Sequence, residues 1–281
     1  MFRLVVLGAV GAVVVTIAAR SHTPVARTAP AATEPAATVK RAGAGEGPAT
    51  RIARDPGAER AAVDRFLQAG SPIYCGGSAK PMVALTFDDG PGPYTRRTLA
   101  VLRSHGARAT FFLVAKEIDG WPALKDVPKE EARDHAIGDH TYDHIGVTDL
   151  SPADLDHQLG DSLSVIEGAA GVPVRLFRPP YGRHDAASDA AARSDGMLEV
   201  LWSLDTEDSM GATADQIVRT IRDDVRPGSI VLLHENRGTT RSALPRILSV
   251  LQSKGLQPVT VPELLAHDPP TASQLASGSC G

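Results

Sequence analysis

Basic residues are fewer than acidic ones in residues 63–281, the part of the sequence that we predict to fold. The 281 residues carry a net charge of −4, and residues 1–62 contribute eight basic and four acidic side chains, which leaves −8 for residues 63–281. DNA and anionic lipid surfaces attract proteins through patches of Lys and Arg. We therefore expect no nucleic-acid partner for this protein.

Cysteine is nearly absent as well, since only Cys75 and Cys280 occur. In an exported protein, two cysteines that bracket a domain favour a disulfide that joins its ends. Such a bridge closes a long loop and stabilises the fold by about 4 kcal/mol in the chain-entropy picture. The alternative is a pair of free thiols in two frayed ends of the domain.

The first residues contain an apolar run that is short for a membrane span. It covers the 16 residues 4–19 and follows a start that contains Arg3, whereas a transmembrane helix needs roughly 20 apolar residues. The pattern is typical of a secretory signal peptide over residues 1–19, and a retained membrane anchor is the alternative. A signal peptide and a membrane anchor both predict a secreted or extracellular protein. The anchor would keep that protein attached to the membrane.

Residues 20–62 have almost no aromatic or large aliphatic side chains and are rich in Ala, Pro, Thr, Gly and Arg. Such a stretch cannot bury enough apolar surface to offset the entropy that ordering costs. We predict a disordered linker over residues 20–62 and a folded domain over residues 63–281. The basic linker is able to contact an anionic cell-wall polymer, and simple solvation of its charges is the alternative.

Beyond the linker, strand-like apolar runs alternate with helical patterns, and no internal repeat is visible. The predicted strands cover residues 82–87, 109–114, 174–177, 198–204, 229–233 and 256–261. The predicted helices contain residues 155–166 after Ser151-Pro152, Ile217 with Ile221, and residues 244–251 before Gly255. Regular alternation predicts an α/β fold with a mostly parallel sheet, either open and doubly wound or closed into a barrel.

Ionisable side chains directly follow several of these strands. Asp88 and Asp89 come after the first, Arg178 after the third, the acidic segment 205–208 after the fourth and His234 after the fifth. Proteins of alternating strands and helices build their active sites at the carboxyl ends of the strands. Solvated loops would instead carry scattered charges, so the pattern predicts an active site at this end of the sheet.

His140 and His144 lie four residues apart, a spacing that on a helix brings both side chains within reach of one cation. A histidine pair with one carboxylate leaves coordination positions for water and substrate, as in a catalytic metal site. Gly90-Pro91 stops the first strand, which lets the chain aim Asp88 and Asp89 into one site. The alternatives are two surface histidines and an ordinary turn. Six further histidines are predicted to be structural or surface residues: His22, His105, His135, His157, His184 and His267.

Two further segments carry groups suited to acid–base chemistry. Arg178 is able to pair with a carboxylate, and the two prolines that follow it stiffen the backbone so that a neighbouring N–H group can be aimed. His234 follows four apolar residues, and a nearby acid makes such a histidine a tunable proton donor. The alternatives are a turn with a solvent-reaching Arg and a hydrogen-bonded core histidine.

Five motifs occur in order: Thr-Phe-Asp-Asp-Gly-Pro, His-Thr-x-x-His, Arg-Pro-Pro-Tyr-Gly, Asp-Thr-x-Asp and Leu-Leu-His. Over residues 81–265 they resemble the polysaccharide deacetylase family, the NodB-homology domain of carbohydrate esterase family four. The resemblance implies a distorted (β/α) barrel and one divalent metal ion, zinc or cobalt. It also implies removal of N-acetyl groups from N-acetylglucosamine or N-acetylmuramic acid units of peptidoglycan or chitin-type glycans.

The resemblance assigns a role to each motif. Asp89, His140 and His144 would be the metal ligands, Asp88 the general base and Arg178 the residue that orients it.

The remaining roles belong to the third, fourth and fifth motifs. His234 would be the general acid, and Asp208 would hold it, with Asp205 as the weaker candidate. The Tyr181 backbone N–H would help bind the oxyanion, and Pro180, Tyr181 and Leu232 would contact the substrate. An amide needs such an acid because its departing amine must be protonated.

Two alternatives remain open beside N-deacetylation. An acetylxylan-type O-deacetylase would use the same residues, because ester and amide hydrolysis differ only in the difficulty of the leaving group. A catalytically silent glycan-binding module is favoured only by Ser209, which stands where the family usually has a tryptophan beside the acetyl pocket. Ser209 predicts a looser, more polar pocket. We expect an acetylated glycan as the partner and a monomeric protein.

Overall fold

The computed structural model describes residues 53–278 and 280, which contain eight strands and eleven α-helices. The strands are β1 (Met82–Gly90), β2 (Thr110–Leu113), β3 (Ala136–Asp139), β4 (Leu176–Phe177), β5 (Leu198–Glu199), β6 (Leu204–Asp205), β7 (Ile230–His234) and β8 (Gln257–Val259). The helices are α1 (Pro56–Ala69), α2 (Thr95–Ser104), α3 (Ala115–Gly120), α4 (Val127–Ala132), α5 (Pro152–Asp156), α6 (Ser162–Ala170), α7 (Ala186–Ser194), α8 (Ala214–Asp224), α9 (Gly238–Ser253), α10 (Val261–His267) and α11 (Ala272–Ser277).

Neither the signal peptide nor the anchor predicted at residues 1–19 falls within the described residues. Across residues 53–278 and 280, no helix combines the length and the apolar character that crossing a membrane requires.

All paired strands of the sheet run parallel, in the order β5-β4-β3-β2-β1-β7-β6, with β8 beside the start of β1. The sheet curls, and one short segment bridges from the end of β5 to the start of β7: Ile73 pairs with Val200, and Cys75 pairs with Ser229. The predicted α/β fold with a parallel sheet is confirmed. Its curled form agrees with a distorted barrel rather than a flat, doubly wound sheet.

Strand β1 lies inside the sheet and is buried on both faces, which explains its continuous apolar run. Val83, Leu85 and Phe87 belong to one apolar cluster, whereas Met82 and Ala84 belong to another. Successive side chains of a strand point to opposite faces, so one strand supplies two cores. Its neighbour β7 is buried along its whole length as well. The two strands that end at the candidate site are therefore held firmly by packing.

The strand predicted over residues 198–204 is wrong in its middle, where the chain leaves the sheet between β5 and β6. The carbonyl oxygens of Val200 and Leu201 each accept a hydrogen bond from the Arg178 side chain at 2.9 Å. The N–H of Leu201 donates to the carbonyl of Ile73. These backbone groups are satisfied outside a strand ladder, so the apolar run continues while the strand does not. Strand β3 was not predicted, because its sequence has only one large apolar residue.

Helix α1 starts at Pro56 and occupies the last seven residues of the predicted linker. The Asp55 carboxylate caps it by accepting hydrogen bonds from two N–H groups of the first turn. Val63 and Phe66 are buried in one of the apolar clusters. The folded domain thus begins before residue 63, and residues 20–52 of the predicted linker lie outside the described part of the chain.

The other helices and the disulfide agree with the sequence. Helices α5 and α6 are joined by a π-helical turn, and the Ser151 hydroxyl caps their start by accepting from Asp154 N–H. Helices α8 and α9 contain the other two predicted apolar patterns. Cys75 and Cys280 form a disulfide with 6.0 Å between their Cα atoms. It ties the end of the chain to the segment that bridges the sheet.

Candidate active site

Asp88 and Asp89 leave the end of β1 toward a common site. Asp88 lies opposite His234 in the pairing of β1 with β7. Asp89 has a left-handed backbone with φ of 68°, which breaks the alternation of the strand. As a result, Asp88 Oδ2 and Asp89 Oδ1 each lie 3.7 Å from His140 Nε2. The turn predicted after the first strand therefore brings both carboxylates to one histidine.

His140 and His144 lie in the loop after β3, so the prediction that a helical turn brings them together is wrong. Thr141 and His144 have positive φ values of 70° and 58°. Thr141 N–H donates to Asp139 Oδ1, and Thr141 Oγ1 accepts from His144 N–H. This tight loop brings the two imidazole rings to a centroid distance of 4.9 Å. One possible ligand atom from each of Asp89, His140 and His144 lies within 4.8 Å of the other two.

Asp89, His140 and His144 have the donor atoms of a three-ligand metal site. Asp89 Oδ1 lies 3.2 Å from His144 Nε2, and it is buried with no hydrogen-bond partner among the described residues. Asn236 donates to the other oxygen, Asp89 Oδ2, at 3.1 Å. His140 Nδ1 donates to the Arg178 carbonyl at 2.6 Å, which leaves Nε2 with a free lone pair. These residues therefore fit a divalent cation of the zinc type.

The electrostatic environment favours the form of His140 that binds a metal. Burial lowers the pKa of His140, although the charges of Asp88 and Asp89 act in the opposite direction. A histidine must be neutral to coordinate a metal ion. Desolvation therefore prepares this imidazole for coordination.

Arg178 is fully buried and fixes Asp88. Its Nη1 donates to Asp88 Oδ1 at 2.8 Å and to Thr86 Oγ1 at 2.7 Å. Its other donors bond the two carbonyls at the break between β5 and β6. The guanidinium lies over the ring of Phe112, with 4.2 Å to the centroid. Because Oδ1 of Asp88 is occupied by Arg178, Oδ2 is the oxygen that faces the metal ligands.

His234 is held by Asp208 at two points. His234 Nδ1 donates to Asp208 Oδ1 and His234 N–H donates to Oδ2, both at 2.7 Å, and the Thr240 hydroxyl also donates to Oδ2. Burial lowers the pKa of His234, but the hydrogen bond to Asp208 and the charges of Asp88 and Asp208 outweigh it, so the pKa is raised. The same hydrogen bonds lower the pKa of Asp208 against the effect of burial. Nε2 of His234 is thus the atom that can release a proton.

The predicted substrate-contacting residues differ in exposure. Tyr181 is 64% exposed, has a φ of 63°, and places its ring edge against His144 at a centroid distance of 5.0 Å. Pro180 and Leu232 are buried, the second on β7. Asp205 is exposed and accepts from the N–H of Glu207 in its own loop. The structure therefore brings Asp208, and not Asp205, to His234.

Sequence reasoning missed Asn236, Thr240 and Glu235. Asn236 donates to Asp89 and Thr240 donates to Asp208, the partner of His234, and their only sequence signal is that they closely follow His234. Glu235 is buried, accepts from the Thr95 hydroxyl, and has its pKa raised by burial to about 8. A Cβ atom at residue 90 would lie 1.2 Å from Glu235 Oε1, so the first motif needs its glycine there.

The residue that replaces the usual tryptophan, Ser209, is half-buried, and the next residue, Met210, is 84% exposed. Trp202 does not take over the missing position. Its ring lies 5.6 Å from the Arg178 guanidinium, and a Cβ atom at Gly182 would lie 2.7 Å from it. Trp202 therefore packs behind the third motif.

A sequence profile described as polysaccharide deacetylase matches residues 76–200. The matched range contains Asp88, Asp89, both loop histidines and Arg178, and it ends before Asp208 and His234. A peptidoglycan-N-acetylglucosamine deacetylase of Bacillus cereus is 32% identical over 207 residues, which cover 72% of this chain and 73% of that protein. A chitooligosaccharide deacetylase of Azorhizobium caulinodans is 32% identical over 195 residues, which cover 63% of this chain and 92% of that protein.

Solved structures share the fold. A crystal structure of a peptidoglycan N-acetylglucosamine deacetylase superposes with a TM-score of 0.66 at 30% identity and covers 71% of this chain and 94% of that one. A pseudoenzyme of carbohydrate esterase family four from Bacillus anthracis also has a TM-score of 0.66, at 29% identity, and covers 70% and 69%. An enzyme and a pseudoenzyme thus share this architecture, so activity must be argued from the side chains at the site.

Proposed function

Because this chain belongs to the polysaccharide deacetylase family, we propose that it is a metal-dependent hydrolase that removes N-acetyl groups from N-acetylglucosamine units of a glycan. One observation carries the proposal: three ligand atoms, a buried carboxylate with one free oxygen and an Asp-held imidazole converge at the ends of β1 and β7. The names of the relatives favour peptidoglycan or a chitin-type oligosaccharide as the substrate class.

Asp89, His140 and His144 would hold one divalent cation, zinc or cobalt. When bound, such an ion polarises the acetyl carbonyl and lowers the pKa of a water molecule at the site. The orphaned Asp89 oxygen and the free Nε2 of His140 are the observations that favour this assignment. Asn236 keeps the Asp89 carboxylate in place through its second oxygen.

Asp88 is the general base of the proposed reaction. Arg178 occupies its Oδ1, so the Oδ2 that lies 3.7 Å from His140 Nε2 is free to accept the proton of the attacking water. Arg178 cannot rotate away, because its remaining donors bond fixed backbone carbonyls. The base is therefore held in one orientation.

His234 is the general acid. The hydrogen bond to Asp208 keeps a proton on Nδ1 and raises the pKa of the ring, so that Nε2 is able to donate a proton to the departing sugar amine. Asp88 and His234 pair across β1 and β7, which places base and acid on neighbouring strands.

Two groups complete the pocket in this proposal. The Tyr181 backbone N–H stabilises the negative charge that develops on the carbonyl oxygen. Leu232, with Pro180, contacts the acetyl group. Ser209 leaves one wall of this pocket without the usual tryptophan, so acyl groups larger than acetyl are expected to be tolerated.

The location of the protein is part of the proposal. Residues 1–19 direct export as a signal peptide or remain as an anchor, and the basic stretch that follows them associates with the cell wall. The catalytic domain acts there as a monomer. Fractionation of cells that express the full chain, followed by mass determination of the mature N-terminus, tests this assignment.

The decisive experiment measures acetate release from N-acetylated chitooligosaccharide, peptidoglycan and acetylated xylan. Each substrate is assayed with chelator, and again after zinc or cobalt has been added back. The proposal expects release from the N-acetylated glycans that chelator abolishes and metal restores. Release from acetylated xylan alone would identify an O-deacetylase instead. No metal-dependent release from any glycan would leave a binding module and contradict the proposal.

A further inference from the structure

A second histidine–carboxylate cluster lies away from the first. His184 follows the 3₁₀ turn Pro180–Gly182, Asp189 lies on α7, and Glu199 is the last residue of β5. His184 Nδ1 is hydrogen-bonded to Asp189 Oδ1 at 2.9 Å and lies 3.4 Å from Glu199 Oε1, and one possible ligand atom from each residue lies within 4.8 Å of the others. At the first cluster, Asp89 Oδ1 lies 3.2 Å from His144 Nε2 and 3.7 Å from His140 Nε2.

Glu199 is the feature that ordinary packing does not explain. Its side chain is 7% exposed, and among the described residues no N–H or hydroxyl group donates a hydrogen bond to either buried carboxylate oxygen. The pairing of Phe177 with Glu199 between β4 and β5 fixes the residue at the sheet. A carboxyl group removed from water keeps its proton, shares it with a neighbour such as Asp189, or is stabilised as a carboxylate by a cation. The positive charge of the nearby Arg193 attracts Glu199, although the two form no ion pair within 4 Å among the described residues and the Arg193 guanidinium donates to the carbonyl of Gly70.

The surroundings fit a small ion. Asp189 and Glu199, though not His184, line a cavity of about 20 Å³, which is room for about one water molecule. The side chains of His184 and Asp189 are 25% exposed, so an ion can reach the cluster from solvent. One imidazole and two carboxylates, with a water molecule as a further ligand, suit a borderline divalent cation such as zinc.

We propose that His184, Asp189 and Glu199 form a second divalent-cation site with a structural role. Its three ligands come from the segment after the third motif, from α7 and from β5. An ion held there fastens that segment to the sheet. Tyr181, whose ring contacts the first cluster, lies only three residues before His184, so the second site steadies one wall of the first. The effect on the first site rests on the proposed function, because Tyr181 belongs to that site. The binding of an ion by the second cluster does not depend on the proposed function.

Counting the metal ions bound to the purified full chain tests the proposal. After equilibration with zinc and removal of loosely bound ions, native mass spectrometry should find two zinc ions in the wild type and one in His184→Ala. His140→Ala should also hold one, and the double variant none. His157→Ala is the matched control, since His157 lies 2.8 Å from Asp161 and 3.8 Å from Asp143 but is exposed. It should retain two.

The outcomes separate the two sites. One zinc ion in the wild type that His140→Ala removes and His184→Ala retains overturns the second site and leaves the proposed function intact. The reverse pattern supports the second site and contradicts the metal assignment at Asp89.

A thermal measurement guards against misfolding of His184→Ala. In the His140→Ala background, zinc at about 100 times its Kd should raise Tm by about 5 °C or more. Glu199→Gln, which keeps the side-chain shape, should remove that rise. An equal rise with and without Glu199→Gln overturns the proposal.

Discussion

The cluster of Asp89, His140 and His144 and the cluster of His184, Asp189 and Glu199 present the same kinds of donor atom at similar distances. Their neighbours differ. The first cluster lies beside the free oxygen of Asp88 and the strand that ends in His234. The second adjoins a cavity of about 20 Å³. In the two proposals made above, a base and an acid beside the three ligands therefore distinguish the catalytic cluster from the structural one.

Removal of a ligand from each cluster should show the largest difference. His140→Ala should lower acetate release by about 10⁴-fold, because a catalytic metal supplies several kcal/mol of transition-state stabilisation. His184→Ala should lower it by at most about tenfold, because it loosens only the segment that carries Tyr181. Acetate release at saturating zinc measures both variants. Equal losses in the two would remove the distinction between a catalytic and a structural cluster.

Replacement of His234, the proposed general acid beside the first cluster, should have the next largest effect on activity. His234→Ala should lower kcat by about 10²- to 10⁴-fold, the range for loss of a general acid, with binding of glycan little changed. The contrast with an ester substrate checks the role, since an ester leaving group needs less protonation. The loss should therefore be smaller with an acetyl ester of the same sugar. An equal loss with amide and ester would argue against proton donation by His234.

The pH dependence of activity tests the role of Asp208 beside the first cluster. The hydrogen bond to Asp208 raises the pKa of His234, and His234 must be protonated to act as an acid. Activity therefore declines as the pH rises through that pKa. Asp208→Asn removes the raising effect, so the decline should move to lower pH, with kcat about 10- to 100-fold lower at the optimum. A profile with an unmoved alkaline limb would show that Asp208 has another role.

The smallest effect concerns stability at the second cluster in the presence of chelator. Burial raises the pKa of Glu199 to about 9. The folded state binds this proton more tightly than the unfolded state does. The free energy of unfolding therefore falls as the pH rises from about 4.5 toward 9. Glu199→Gln should reduce that loss and raise Tm at pH 9 by about 2 to 4 °C, while the two proteins melt alike near pH 4. The same slope of Tm against pH in both would contradict this.

The position of the ionisable side chains at the strand ends could be predicted from sequence because it rests on short-range patterns. Asp88 and Asp89 follow an apolar run and precede Gly90-Pro91, and His234 follows another run, so their position at the sheet end follows from strand geometry alone. The start of helix α5 was predicted from the local pair Ser151-Pro152. The disulfide was predicted from composition, because the sequence has only two cysteines.

Most of the failures depend on contacts distant in sequence, and one depends on local backbone geometry. The strand predicted over residues 198–204 breaks because the Arg178 side chain bonds its carbonyls. His140 and His144 meet through a loop whose positive φ values no periodicity reveals. Helix α1 is ordered by packing against the apolar cluster that Phe66 enters. His184, assigned from sequence to the structural or surface histidines, finds Glu199 only because β5 brings that carboxylate back.

The most direct test of the central claim is the zinc content of His140→Ala and His234→Ala, prepared side by side with the wild type and analysed by mass spectrometry. The account predicts that His140→Ala binds one zinc ion fewer than the wild type, whereas His234→Ala binds the same number although it has lost turnover. Equal zinc loss in the two variants, or no loss in His140→Ala, would contradict the assignment of Asp89, His140 and His144 as the ligands of the catalytic cation.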